Sequence, residues 1–320
     1  MKIIAELCQN HNGNEKLLNK MVEEAAINGA SHVKIQHIYS RNLSFRPIFE
    51  NGLIIKKKTI SIKRPYKNEY NRLKKLEISH KSIKNFIKIC KKFNVVPLTT
   101  CFAREHVNEL SKLGFEEIKV ASYDCASYQL LKELKKKFKH IYVSTGATYN
   151  YEIINAAKIL KNNFSLLHCV TEYPTDLKNL NLSRLKFLKK LTNNVGYSDH
   201  TAPRSVGISP TLLAIYLGSK VIERHFTILN EKDTRDGIVS IYPKELKLIK
   251  EFSLKSKIEQ LKIIKHLNSN YQVMNGNINK KMSDLEKLNR DYYRGRFCSY
   301  VHDKRGKLKI FNWEETPLKI

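Results

Sequence analysis

The sequence predicts an α/β fold, a TIM (β/α)8 barrel with a short C-terminal extension, and three observations predict it. Eight short apolar runs recur along most of the chain, helix-length stretches separate them, and each run ends in a polar residue of a type used in catalysis. In such a barrel the chemistry collects at the C-terminal ends of the strands. Helical segments would not gather Glu, Gln, Thr, Ser and His at one end of every unit, so the same pattern predicts an enzyme.

The runs are Ile3–Glu6, His32–Gln36, Val95–Thr100, Glu117–Ser122, Ile141–Thr145, Phe164–Thr171, Val195–His200 and Lys220–His225. Between the first two, the spacing of Leu17, Leu18, Met21, Ala25 and Ala26 predicts a helix from Asn14 to Gly29, closed by the glycine. A long connection then runs from His37 to Ser79. A loop of that length in a compact domain is either functional or disordered. This one follows a strand end and carries Arg46, Arg64, Tyr66 and Arg72, so it is read as a lid or substrate loop. From Lys81 the alternation resumes and continues to a helix at Pro243–Ile258. A barrel domain is accordingly placed at 1–265. The extension, 266–320, contains the polar NSNYQVMNGN and short strand-like pieces.

At 320 residues and 37.3 kDa the chain has room for one barrel, typically about 250 residues, and an appendage. No apolar run approaches the roughly 20 residues of a membrane span. The N-terminus enters strand-like IIAEL without a secretory leader, so a cytoplasmic protein with no membrane partner is expected. None of the six cysteines forms a C-x-x-C pair, which fits free, mostly buried thiols. The net charge of +28 raises the question of nucleic acid. Lysines are spread over helices and loops, as at 135–137 and 186–190, without the interleaved aromatics of a base-stacking surface. No specific nucleic acid is expected; the charge reads as solvated helix faces that also attract anionic substrates.

His200 and His225 end adjacent strands, where two imidazoles can face one point above the barrel mouth. Such a pair suits a divalent Mn, Fe, Co or Zn ion with positions left for water or substrate. Glu6 ends the first strand, which closes the barrel beside the eighth, and can face the same ion or its water. Lys34 and Lys119 lie near the ends of the second and fourth strands, among Thr100, Ser122, Ser144 and Ser198. Two ammonium groups ringed by hydroxyls form a cradle for a small polyanion. Asn10–Gly13 reads equally as a tight structural turn, with Asn14 capping the helix after it.

Together, AELCQNHNG, VKIQ, IKVAS, VSTGA, LLHCVTEYPT, VGYSDHT and VIERHFT resemble the motifs of the sialic acid (nonulosonic acid) synthases, in order from Ile3 to about Asp236. The resemblance implies a phosphoenolpyruvate-dependent aldol-type condensation with an N-acylated amino sugar such as N-acetylmannosamine. It implies a divalent metal, typically Mn2+, on His200 and His225. Phosphoenolpyruvate is implied on Lys34, Thr100, Lys119, Ser122, Ser144, Thr171 and Ser198, and the sugar on Gln36, Tyr173 and Asp236. Glu6 matches the family's carboxylate near the reacting carbons, and Asp124 stands where the family commonly has a glutamate; both are taken as catalytic. Typical members end in an antifreeze-like (SAF) domain that gives the partner subunit a substrate arginine. Residues after about Met282 resemble at most its opening part, which leaves Arg294 and Arg296 as unassigned candidates and homodimer formation open. Competing readings are a synthase for a different or phosphorylated sugar, a metal-dependent barrel hydrolase, and an inactive basic scaffold of the same fold.

Overall fold

The computed structural model of the protein describes residues 1–303, 306–315 and 318–319. Residues 304, 305, 316, 317 and 320 of the extension expected at 266–320 lie outside the described residues. Eight parallel strands close into a barrel: Lys2–Cys8, His32–His37, Val96–Cys101, Glu117–Val120, His140–Ser144, Phe164–His168, Val195–Asp199 and Val221–His225. They are called the first to eighth strands below, and each pairs with its neighbours in chain order, the eighth returning to the first. Closure sets Glu6 level with both His225 and Lys34.

The order of side chains along each strand follows from its two-residue period. Ile4, Leu98, Tyr142, Leu167 and Val221 form one apolar cluster inside the barrel. The intervening Ala5, Val33, Ile35, Ile118, Val143 and Ile222 join the larger core against the surrounding helices. Gly196 marks how closely the interior is filled, since a Cβ there would lie 2.4 Å from the Val221 carbonyl oxygen. Helix Glu15–Ile27 starts where expected, with the Asn14 side chain accepting from the Leu17 N–H at 3.1 Å.

Two strands end two or more residues earlier than the sequence suggests, and the fifth and seventh end one residue earlier. The fourth stops at Val120 and turns at Ser122–Asp124, and the sixth stops at His168. Above His168 the seventh strand offers no further partner. The Thr171 backbone is instead held by the C-terminal helix, its N–H donating to Glu286 and its carbonyl accepting from Asn289. The connection after the second strand is ordered structure, comprising a short helix at Ile48–Asn51, a hairpin of Leu53–Ile55 with Lys58–Ser61, and helix Tyr66–Leu76. All six cysteines are free and buried. Among the described residues no helix is long and apolar enough to cross a membrane.

Buried histidines give the fold a defined acid limit. Burial pushes His11 down to about 4 and His168 to about 3. His11 accepts the Gly13 N–H at 3.0 Å, and His168 donates to the Leu180 carbonyl at 2.6 Å. Both rings are neutral in the fold, whereas an unfolded histidine takes its proton near pH 6.5. The unfolded chain therefore binds more protons below that value. Stability is full above about pH 6.5 and falls as the pH drops toward 4. Moving from pH 7 to pH 5 should remove about 2 kcal/mol per histidine, read as a lower urea midpoint. Equal midpoints at the two pH values would contradict neutral burial.

Candidate active site

The apolar cluster inside the barrel gives way, toward the C-terminal strand ends, to a buried polar layer. Period two carries Ile4 to Glu6, Leu98 to Thr100, Tyr142 to Ser144, and Val221 to Glu223 and His225. The Lys34 ammonium contacts Glu6 Oε2, donates to Thr100 Oγ1 at 3.2 Å and lies 3.6 Å from Glu223 Oε2. Lys119 donates to Ser144 Oγ at 2.6 Å and to its neighbour's carbonyl, Val120, at 3.0 Å. Its ammonium is 3.9 Å from Glu223 Oε1, which also accepts from Ser198 Oγ at 2.7 Å. Lys34, Thr100, Lys119, Ser144 and Ser198 thus meet around one carboxylate. Burial pulls Lys34 down to about 8, against the attraction of Glu223. Burial alone would raise the Glu223 carboxyl; Lys119 and Lys34 outweigh it and hold the group at about 2.

Glu223 was not among the expected site residues. Its signal was available, since it lies two residues before His225 and therefore shares that residue's face. The Asp of the SDH motif has a different task from its neighbours. Asp199 points out of the barrel, pairs with Arg224 at 2.7 Å with both side chains fully buried, and accepts from Thr201 and Thr211. That anchor fixes the strand end from which Ser198 and His200 face inward.

The two imidazoles stand with ring centroids 5.6 Å apart. His200 donates from Nδ1 to the Val170 carbonyl at 2.8 Å, leaving an Nε2 lone pair that accepts from Tyr173 Oη at 3.2 Å. Burial, and then His225, pushes His200 down to about 4, so the ring is neutral as a ligand must be. His225 Nδ1 is buried without a hydrogen-bond partner, 3.8 Å from Asp236 Oδ2. An orphaned imidazole nitrogen beside a second lone pair and a carboxylate fits a divalent ion. The ligand atoms of Cys8, His225 and Asp236 also lie within 4.8 Å of one another. Burial and the nearby Asp236 push the Cys8 thiol well up.

The remaining expected residues lie around this centre. Gln36 accepts from Gln9 at 3.3 Å, and Gln9 in turn accepts from Arg72 at 2.5 Å, bringing helix Tyr66–Leu76 to the sugar-side glutamine. Ser122 Oγ accepts the Gly146 N–H at 3.1 Å and lies 2.9 Å from Cys169 Sγ. Thr171 Oγ1 is buried without a partner. Asp124 is set apart: its Oδ1 accepts from Ser127 at 2.7 Å and Asn312 at 2.9 Å, and it makes no hydrogen bond to the lysines or imidazoles. Burial raises its carboxyl to about 6 despite those two donors. It lines a small cleft open to solvent, with Tyr123, Tyr293, Arg296 and Asn312.

Residues 283–303 and 306–312 fold over the same end of the barrel. In helix Asp284–Tyr293, the fully buried Glu286 accepts from the Ala147 and Thr171 N–H groups, and Arg290 reaches the Ala147 carbonyl and Glu152. Farther on, the Cys298 N–H donates to the Asn42 carbonyl and the Ser44 N–H to that of Arg296. Arg296 pairs with Glu69, which also holds Arg72 at 2.9 Å. Arg294 instead lies 3.3 Å from Glu152.

Comparison with known proteins agrees with this architecture. The profile of the NeuB family matches residues 21–264. An N,N'-diacetyllegionaminic acid synthase of Campylobacter jejuni is 36% identical over 256 residues, covering 77% of this chain and 73% of the relative. An N-acetylneuraminate-9-phosphate synthase of Drosophila melanogaster is 29% identical, covering 85% and 73% respectively. Among solved structures, an N-acetylneuraminic acid synthetase of Leptospira borgpetersenii in complex with citrate superposes with a TM-score of 0.67 at 28% identity, covering 91% of this chain and 90% of that one.

Proposed function

The chain belongs to the NeuB family, and from that premise we propose that it condenses phosphoenolpyruvate with an open-chain N-acylated amino sugar, giving a nonulosonic acid and phosphate. The observation that carries the reading is the meeting of Lys34, Lys119 and three hydroxyls beside an imidazole pair at one barrel mouth. Lys34 and Lys119 would hold the carboxylate and phosphate of phosphoenolpyruvate, with Thr100, Ser144 and Ser198 donating to their oxygens. Ser122 and Thr171 border the same region, and the unpartnered Thr171 hydroxyl is free to join them. Gln36, Tyr173 and Asp236 would place the sugar, which confines both reactants in a water-poor barrel mouth.

His200 and His225, with the sugar-side Asp236 3.8 Å from His225 Nδ1, would hold a divalent ion, Mn2+ by family resemblance, supplying a Lewis acid for the aldehyde oxygen. The methylene carbon of phosphoenolpyruvate bonds to the aldehyde carbon, and water adds at the adjoining carbon. Glu6, level with Lys34 and His225, would take the proton from that water. Phosphate then leaves with its bridging oxygen, and the 2-keto acid remains. Asp124, expected as the second catalytic carboxylate, lies apart from this centre, at the cleft beside Tyr293 and Arg296, and takes no part in these steps.

The test is phosphate release from phosphoenolpyruvate with Mn2+ and a panel of acetamido sugars, including N-acetylmannosamine and its 6-phosphate. Release that requires both sugar and metal is expected. A folded, Mn2+-loaded protein that releases phosphate with none of them would overturn the reading and favour an inactive scaffold. The 6-phosphate is included because Arg72 reaches Gln9 beside Gln36 and could recognise a second phosphate. Preference for it would assign the chain to phosphorylated sugars.

A further inference from the structure

Outside the barrel interior, three imidazoles and a carboxylate converge at the foot of the long connection. His37 ends the second strand and faces away from the interior, opposite in sense to Gln36. His106 ends the turn Arg104–His106, Glu109 lies in the first turn of helix Val107–Leu113, and His80 opens helix His80–Lys92. His37 Nε2 is 3.4 Å from Glu109 Oε1, and His106 Nδ1 is 2.7 Å from Glu109 Oε2. His80 Nε2 touches the same Oε1 as His37, and the Tyr39 hydroxyl donates to that oxygen at 3.1 Å. The ligand atoms of His37, His106 and Glu109 all lie within 4.8 Å of one another. His37 is 4% exposed and His106 3%, and the His37 Nε2 has no hydrogen-bond partner.

Donor and acceptor roles decide what this cluster can hold. The Asn42 amide nitrogen donates to Glu105 Oε1 at 2.8 Å and to the Cys298 carbonyl at 3.0 Å. Asn42 Oδ1 therefore faces His106 Nε2 as an acceptor at 2.9 Å, and Nε2 carries the ring proton. In the neutral ring Nδ1 is then a lone pair, directed at a carboxylate that has no proton to give. Two acceptors at 2.7 Å need a positive charge between or beside them. A proton on His106 would answer that need for one ring only, and would leave His37 Nε2 with nothing nearer than Glu109 Oε1 at 3.4 Å. A divalent ion answers it for both rings and for Glu109. The outward N–H of His106, fixed by Asn42, is the arrangement that orients metal-bound imidazoles.

We propose that His37, His106 and Glu109 form a second divalent-metal site of the zinc type, separate from the imidazole pair at the mouth, with the surface-exposed His80, which touches Glu109 but lies outside that 4.8 Å group, turning in as fourth ligand. Three nitrogens and one oxygen make a tetrahedral donor set of that kind. The site has a structural role: His37 and His80 stand at the two ends of the connection 38–79, so one ion held by both closes it. Metal clips that close long loops act by lowering the freedom of the unfolded chain. The connection carries Arg72, and the ion would set where that arginine reaches Gln9.

The experiment uses the full chain, stripped with chelator and titrated with Zn2+ and, separately, with Co2+. In the His200→Ala/His225→Ala variant, which removes the imidazole pair at the mouth, one Zn2+ per chain is expected. Binding should raise the melting temperature and, with Co2+, give the visible absorption of a four-coordinate site. Adding Glu109→Gln should abolish all three signals. Adding instead His80→Ala, a surface change that leaves the core intact, should weaken Zn2+ binding by about tenfold or more. A mouth variant that binds no ion, or binding unaffected by either added substitution, overturns the proposal.

Discussion

Lys34→Met is expected to weaken both the fold and the reaction. The ammonium stands between Glu6 and Glu223, which are 3% and 6% exposed. Removing one partner of a buried ion pair leaves a charge without compensation and costs about 3–5 kcal/mol. Loss of a preorganised cation at the anion cradle should lower turnover by roughly 10²–10³. The two effects separate in the double variant Lys34→Met/Glu6→Gln. Neutralising the stranded carboxylate should return part of the lost stability and none of the turnover. Thermal melting and phosphate release measure them independently, and a Lys34→Met protein unchanged in both would remove Lys34 from the site.

His225→Ala should lower turnover by about a thousandfold or more, equivalent to roughly 4 kcal/mol of lost transition-state stabilisation. Its effect on the fold should be small, because the Nδ1 of His225 makes no hydrogen bond that the substitution could break. Mn2+ binding gives a readout independent of the reaction. The paramagnetic resonance signal of free Mn2+ should disappear on adding the parent protein and persist with the variant. A variant that still sequesters Mn2+ and turns over within tenfold of the parent would place the ion elsewhere, with Cys8 and Asp236 as the remaining neighbours of that position.

The barrel was legible because its information is local. A strand of period two, ended by a polar residue and followed by an amphipathic stretch, can be recognised from ten or so residues. The lysines and hydroxyls that meet at Glu223 were legible for the same reason. Glu223 was missed because ERH was read for its histidine alone, though alternation puts residues 223 and 225 on one face. The early ends of the fourth and sixth strands were not legible, since they depend on what neighbouring segments offer. Glu286 shows the limit well. It is a glutamate in a polar helix, paired with the nearby Lys280, and its place over the barrel comes from the backbone N–H groups of Ala147 and Thr171, more than a hundred residues away. Hydrogen bonds to distant backbone leave no periodicity in a sequence. His37, His80, His106 and Glu109 come from three separate segments, and only the spacing of His106 and Glu109 hints that they act together.

The quartet of Glu6, Lys34, Lys119 and Glu223 has a thermodynamic consequence. Two ammonium groups and two carboxylates sum to zero, so the pocket holds no spare positive charge for an incoming anion. A ligand carrying two or three negative charges must arrive with a counter-ion, or be accompanied by a proton on one of the carboxylates. The anion and cation positions are therefore linked: each makes the other's occupancy more favourable, by the same free energy in both directions. Affinity for the anion is then a joint property of the ion concentration and the pH at which it is measured, and has no single value of its own.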